Sequence, residues 1–120
     1  MHCAGATKPI ANGDGTFTYP NGDCYRGHFV KGQRQGTGEM LYASKRYYKG
    51  EWKANIRNGQ GHFDWPNGES FDGEFRDDVP NGTGRWTWPN GAHYEGDVLN
   101  DKRHGKGVMV EADGWRYEGD

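Results

Sequence analysis

The sequence predicts an all-β protein, an elongated, twisted, single-layer antiparallel meander of five hairpin units, each of ~23 residues. Three observations support this prediction: glycines recur at a constant interval, aromatic and polar side chains alternate between them, and aliphatic side chains are scarce. Leu, Ile, Val and Phe make up 14 of 120 residues, against 21 glycines, seven tyrosines and five tryptophans. Such a composition cannot fill a thick aliphatic core, so the rings must pack on a thin sheet.

Two glycine series define the repeat. In the first, an aromatic residue is followed two positions later by glycine, at Tyr25, Tyr48, Phe71, Tyr94 and Tyr117. The second is a Gly-x-Gly motif that begins at Gly13, Gly36, Gly59, Gly82 and Gly105. Both series advance by the same step from each unit to the next, without insertion or deletion. We therefore expect a repeat array over residues 12–120, preceded by an N-terminal tail, 1–11.

Each unit is predicted to be a β-hairpin. In residues 59–65 and again in 71–75, glycine or an aromatic residue occupies every second position, which is the period of a strand. The intervening Pro-Asn-Gly sequence predicts a tight loop, because proline fixes φ and glycine accepts a positive φ. Longer links are predicted to lead into the next hairpin, at Val30–Gln35, Lys53–Asn58, Arg76–Asn81 and Leu99–His104.

Glycine and aromatic residues share one face of every predicted strand, so a ring on one strand can cover a glycine on its neighbour. An even register would place Phe63 opposite Gly73 and Trp86 opposite Gly96. A shift of two residues would keep the faces and change these pairs. The sequence therefore leaves the register open.

These motifs resemble the MORN repeat (membrane occupation and recognition nexus), whose pattern is roughly Tyr-x-Gly-x-Trp followed by Gly-x-x-x-Gly-x-Gly. The segment Tyr48–Trp52 reads Tyr-Lys-Gly-Glu-Trp, and Gly59-Gln60-Gly61 follows it. The resemblance covers residues 12–120, although Ala43–Lys45 replaces the Pro-Asn-Gly turn in one unit. Because the chain ends before the aromatic residue expected two positions after Gly119, we expect a fragment of a longer array.

The resemblance implies an elongated single-layer sheet without enzymatic activity. It also implies a cytoplasmic scaffold that works at cytoskeletal, flagellar or cortical membrane structures. Dimers through the repeat ends are common in this family, and the first and last strands of the predicted sheet expose unpaired backbone. A homodimer is therefore a further expectation.

The leading functional hypothesis is a groove on the aromatic face. Curling of a one-layer sheet can hide only part of that face, and an exposed apolar patch usually marks a binding site. We expect the groove to bind a helix or an extended peptide of a partner protein. The predicted groove residues are Tyr48, Trp52, Phe63, Trp65, Phe71, Phe75, Trp86, Trp88 and Tyr94. The alternative is that these rings only pack against one another as the core.

A second hypothesis is weak binding of phosphoinositides or other anionic lipids along the edge formed by the long links. The basic residues there are Lys31, Arg34, Lys53, Arg57, Arg76, Lys102 and Arg103. Against the acidic residues Asp77, Asp78 and Asp101 they give this edge a net charge of +4. At about 1 kcal/mol per basic residue this would support salt-sensitive docking. A solvated edge that keeps sheets from pairing is the alternative.

Other function classes fit less well. A carbohydrate- or choline-binding module is also built from Trp- and Gly-rich hairpins, but its period is shorter and its Gly-Trp pairs are more frequent than the single Gly114-Trp115 here. No Ser-His-Asp or Cys-His arrangement is apparent and the five histidines lack metal-ligand spacing, so neither catalysis nor a cofactor is predicted. A net charge of −2 argues against nucleic-acid binding.

Overall fold

The computed structural model describes residues 11–99 and 102–119, and of residues 102–104 it describes the backbone alone. Residues 1–10 of the predicted tail therefore lie outside the described residues. Ten strands form one antiparallel sheet in which every strand pairs with its neighbours in sequence. The strands are β1 (Gly13–Thr18), β2 (Cys24–Val30), β3 (Gln33–Leu41), β4 (Tyr47–Lys53), β5 (Ile56–Asp64), β6 (Ser70–Arg76), β7 (Val79–Thr87), β8 (His93–Leu99), β9 (Lys102–Val110) and β10 (Arg116–Gly119).

The sheet is elongated, with extents of 50 × 23 × 18 Å. This confirms the predicted fold class, a single-layer meander of hairpin units. Its core lies on one face and consists almost entirely of rings, among them Phe17, Tyr25, Phe29, Tyr48, Trp52, Phe63, Phe71, Phe75, Trp86 and Tyr94. Several of these rings meet edge to face, as where Tyr48 contacts Trp52 at 5.1 Å and Phe75 at 4.9 Å between ring centroids.

The register differs by two residues from the even register considered above. Phe63 lies opposite Phe71 and Gly61 opposite Gly73, so like residues pair across the strands. In the same way Trp86 lies opposite Tyr94. The ring therefore covers its glycines diagonally, from a position two residues along the strand, and not from directly opposite.

Tyr48 shows why the glycines pair with one another. Gly50 and Gly61 face each other, and a Cβ built on Gly50 would lie 2.5 Å from the Cα of Gly61 and 2.7 Å from the Tyr48 hydroxyl. The bare backbone lets the Tyr48 ring lie flat, and its hydroxyl donates a 2.8 Å hydrogen bond to the carbonyl of Glu51. Burial raises the pKa of this hydroxyl well above its usual range, so it remains a donor.

The relative lengths of the two kinds of loop are the reverse of the prediction. The Pro-Asn-Gly segments are the longer loops: Trp65 N–H donates to the Glu69 carbonyl at 2.9 Å and closes a five-residue loop. The predicted long links are two-residue turns, such as Ala54–Asn55 with φ of 47° and 70°. Two consecutive positive φ angles are typical of a type I′ turn, which usually carries Asn-Gly. Because Ala54 and the Asp77–Asp78 pair lack that signature, the sequence did not reveal the turns.

The residues assigned to links instead lengthen the odd strands. Strands β3, β5, β7 and β9 have nine residues, and their first residues pair after an irregularity in register, as between Gly50 and Trp52. Of the fourth predicted link, Leu99–His104, residues 100 and 101 lie outside the described residues.

Candidate functional site: the aromatic face

Most of the predicted groove residues are buried in the core. Tyr48, Trp52, Phe63, Phe71, Phe75, Trp86 and Tyr94 are at most 9% exposed. A buried ring cannot contact a partner unless the sheet rearranges, so these seven rings form the floor of the aromatic face. Trp65 and Trp88 are only partly buried and pack on this floor. The surface that a partner can reach is therefore narrower than the predicted groove.

Trp65 and Trp88 belong to a row of four rings, of which the predicted groove contains only these two. Tyr19 and Tyr42 occupy the same position in the two preceding units and are also partly buried rings packed against the core. We call Tyr19, Tyr42, Trp65 and Trp88 the aromatic ladder. Each member directly follows an odd strand, so neighbouring members are two strands apart, about 9.6 Å. The repeat period, applied backwards from Trp65, could have found the two tyrosines.

The tryptophan end of the ladder is held by ring stacking. Trp86 lies between the two ladder tryptophans: it stacks on Trp65 at 5.2 Å with an interplanar angle of 8°, and on Trp88 at 6.5 Å with an angle of 18°. The indole N–H of Trp86 donates to the carboxylate of Glu69 at 3.2 Å, which fixes the central ring. Trp65 and Trp88 are thereby ordered before any partner arrives, which lowers the entropy cost of binding.

Two arginines fill the space above the floor. The guanidinium of Arg34 lies 4.8 Å from the Trp52 ring centroid, and that of Arg57 lies 4.9 Å from the Phe63 ring centroid. Arg34 also donates to the Asn55 carbonyl at 2.7 Å, while Arg57 donates to the carbonyl of the next two-residue turn. The Nε atom of Arg34 is buried without a hydrogen-bond partner, whereas that of Arg57 lies 3.4 Å from a carboxylate oxygen of Asp78. Both side chains are thus part of the aromatic face.

This placement corrects the predicted basic edge, in which Arg34 and Arg57 were grouped with exposed lysines. Arg34 lies at an every-second position of β3 together with Gly36, Gly38 and Met40, and it pairs with Phe29 on β2. The alternation of side chains therefore turns it to the aromatic side.

The family follows from a comparison of the sequence with protein-family models. The model of the MORN repeat matches residues 10–24, 25–45, 48–70, 71–93 and 94–116. This chain belongs to the MORN repeat family. No curated protein matches the sequence of this MORN array.

Among solved structures, the MORN array is similar to the SAS-4 (dCPAP) TCP domain of Drosophila melanogaster, solved in complex with a proline-rich motif of Ana2 (dSTIL). The sequence identity is 15% and the TM-score is 0.27, over 100% of this chain and 95% of that chain. At this TM-score the likeness carries no argument about what the MORN array binds.

The edge of the MORN array that holds the two-residue turns is less basic than predicted. Without Arg34 and Arg57, the described side chains there are Lys31, Lys53 and Arg76 against Asp77 and Asp78, a net charge of +1. The side chains of Lys102 and Arg103 lie outside the described part of the chain.

The face opposite the aromatic one is covered by polar cross-strand pairs. Arg26 pairs with Glu39, and Arg85 donates to Glu95 at 3.0 Å. His62 lies between Asp72 and Asp64, at 2.5 and 3.0 Å. Burial acts to lower the pKa of His62, but the hydrogen bonds to both carboxylates outweigh it and raise that pKa. These groups satisfy one another, which is the behaviour of a solvated face.

The described part of the chain contains neither a candidate metal site nor a candidate membrane-spanning helix. Within residues 11–99 and 102–119, no group of three or more His, Cys, Asp or Glu side chains is arranged to hold a metal ion. The same part of the chain contains no helix long and apolar enough to cross a membrane.

Proposed function

We propose that this MORN array is a non-enzymatic interaction module that binds an extended segment of a partner protein along the aromatic ladder. The observation that supports this most directly is the ladder itself. Four partly exposed rings recur at one position of successive units and rest on a packed aromatic floor. Rigid aromatic side chains supply most of the energy in many interfaces, because they bury a large area at little cost in conformational entropy.

An extended segment fits this face better than a helix, the other occupant considered from the sequence. An α-helix needs a trough about 10 Å wide. The aromatic face has no such trough in the first two units, because the side chains of Arg34 and Tyr19 are joined by a hydrogen bond above the floor. Arg57 similarly lies 5.7 Å from the Tyr42 ring centroid. A partner therefore has to lie in a shallow track along the ladder.

A setting in the cytoplasm, at cytoskeletal, flagellar or cortical membrane structures, is part of the same proposal. It follows from the scaffolding roles that the family resemblance implies. The array would there hold one protein segment near another, and the unpaired edges of β1 and β10 would allow two copies to associate. A light-scattering mass of a single chain at high concentration would exclude that homodimer.

Anionic lipid is a weaker candidate, because two of the seven predicted basic residues lie on the aromatic face. The net charge of +1 that remains on the described edge supports little more than about 1 kcal/mol of electrostatic attraction. Co-sedimentation with phosphatidylserine vesicles at low salt tests this candidate, and absence of pelleting removes it. Choline and soluble glycans, added while tryptophan fluorescence is followed, test the third hypothesis in the same way.

The experiment for the proposed function is a selection from a random peptide display library on the whole 120-residue chain. Selected peptides are then measured against the double variant Trp65→Ala, Trp88→Ala. We expect at least ~10-fold weaker binding, since removal of a central aromatic anchor typically costs about 2 kcal/mol or more. The matched control is Trp115→Ala, which removes an exposed tryptophan outside the ladder. A folded double variant that binds the peptides as tightly as the unmodified chain would reject the proposal.

A further inference from the structure

The spacing of the aromatic ladder matches the repeat of one extended backbone conformation. Neighbouring ladder residues are two strands apart, which corresponds to about 9.4–9.8 Å. Three residues of a polyproline II helix advance about 9.3 Å. A polyproline II segment that runs across the strands would therefore advance by one turn for each repeat of the sheet.

The direction of the side chains distinguishes polyproline II from the other extended conformation. Polyproline II has three residues per turn, so every third side chain points to the same side. In a β-strand the period is two, so residues three apart point to opposite sides even though they are separated by a similar distance. Only the polyproline II form can bring one side chain to each of Tyr19, Tyr42, Trp65 and Trp88 in succession.

The character of the rings agrees with this geometry. Proline-rich segments dock on aromatic-lined surfaces because their conformation is already formed and little entropy is lost on binding. The ladder offers rings in fixed positions, because Trp65 and Trp88 both stack on Trp86.

Charge along the array, counted over both faces of the sheet, favours one orientation of such a segment. Residues 11–57, which contain the tyrosines of the ladder, carry eight basic and four acidic residues, a net charge of +4. Residues 58–99, which contain its tryptophans, carry two basic and eight acidic residues, a net charge of −6. A complementary ligand is acidic at the end that lies over the tyrosines and basic at the end that lies over the tryptophans.

We propose that the aromatic ladder binds a proline-rich segment in the polyproline II conformation, with its acidic end over Tyr19 and Tyr42 and its basic end over Trp65 and Trp88. This inference rests on the proposed function, because it names the ligand of the same surface. One residue in every three contacts the ladder, and about ten residues span its four rings.

The test uses synthetic peptides and the whole chain. The first probe has three glutamates, about ten prolines and three lysines, because about ten prolines are the length at which a polyproline II helix spans the ladder. The second keeps the charges and replaces the prolines with alternating serine and threonine. The third keeps the prolines and replaces all charged residues with serine.

We expect the first probe to bind at least ~10-fold more tightly than the second, because the second loses more conformational entropy on binding. Binding of the first probe should weaken with added salt, and the uncharged third probe should show no such weakening.

The orientation is read from a nitroxide attached to the glutamate end of the first probe. Paramagnetic broadening of backbone amide resonances is expected around Tyr19 and Tyr42. Broadening around Trp65 and Trp88 instead, or equal binding of the first and second probes, would overturn the inference.

Failure of the inference and failure of the proposed function are distinguishable. If library-selected peptides need Trp65 and Trp88 but are free of proline and bind better than the first probe, the inference falls and the proposed function stands. If neither the selected peptides nor the first probe depend on these tryptophans, both fall.

Discussion

Arg34 donates a hydrogen bond through Nη1 to the hydroxyl oxygen of Tyr19 at 2.8 Å. Tyr19 follows β1 at the Pro-Asn-Gly end of its hairpin, whereas Arg34 lies just after the opposite turn, so the two side chains together span the aromatic face. The guanidinium lies above Trp52 at the same time. A one-layer sheet in this way covers its own aromatic floor, and what stays accessible is the ladder along one side.

Removal of the Arg34 side chain should destabilise the sheet. Arg34→Ala deletes the cation–π contacts and two hydrogen bonds, and it uncovers Trp52, so we expect a loss of about 1–3 kcal/mol in the free energy of unfolding. Lys31→Ala, on an exposed turn of the same edge, should change it by less than about 0.5 kcal/mol. Urea denaturation of the two variants checks this, and equal effects would show that Arg34 does not cover the floor.

Gly61 should not tolerate a side chain while Tyr48 is present. A Cβ at Gly61 would lie 2.5 Å from the Tyr48 ring, so Gly61→Ala should cost about 2–3 kcal/mol through overpacking. The loss from Gly61→Ala should shrink by at least ~1 kcal/mol in a Tyr48→Ala background, because the two sites share one contact. A double-mutant cycle in chemical denaturation measures this coupling. Strict additivity would contradict the packing of this ring on the glycine pair.

The two-residue turn at Ala54 should be improved by glycine. Ala54 has φ of 47°, a left-handed conformation that costs a residue with a Cβ about 1–2 kcal/mol. Glycine loses more conformational entropy on folding than alanine, which offsets part of this gain. Ala54→Gly should therefore stabilise the fold by about 0.5–1 kcal/mol. Ala43→Gly, in a loop where alanine has no positive φ, should give no such gain. Thermal melts compare the two, and the prediction fails if both behave alike.

His62 should make stability depend on pH. Its pKa is raised in the folded state by Asp72 and Asp64, so the stabilisation is fully present below its ordinary value of 6.5 and is lost as the pH rises through the raised pKa. The melting temperature of His62→Gln should therefore fall furthest below that of the unmodified chain at about pH 5.5, and the gap should narrow by about pH 8.5. The change of this melting-temperature gap with pH should be smaller when both chains also carry Asp72→Asn. A gap that widens with rising pH would reverse the sign and reject this account.

The sequence predicted the architecture because one period recurs without insertion. An insertion of one residue would have moved the rings to the opposite face, so the faces, the hairpins and the single layer could all be read from Tyr48, Gly50 and their counterparts. The register could not, since a shift of two residues leaves every face unchanged. The turns could not either, because Asp77 and Asp78 adopt positive φ without the glycine that normally reveals it.

The site was predicted less completely. The predicted groove contains Trp65 and Trp88 but not Tyr19 and Tyr42, although all four occupy the same position in their repeats. How deeply Phe71 or Tyr48 is buried depends on side chains from neighbouring units, and Arg57 in particular lies over rings contributed by other strands. Such coverage is a property of the packed sheet and has no signature within one unit.

The central claim is that a partner lies along the ladder. It is tested most directly by the indole N–H resonances of the five tryptophans, recorded while a library-selected peptide is titrated into the labelled chain. We expect the resonances of Trp65 and Trp88 to shift and that of Trp115 to remain in place. Shifts confined to Trp115, or to backbone amides of the polar face around His62, would contradict the claim.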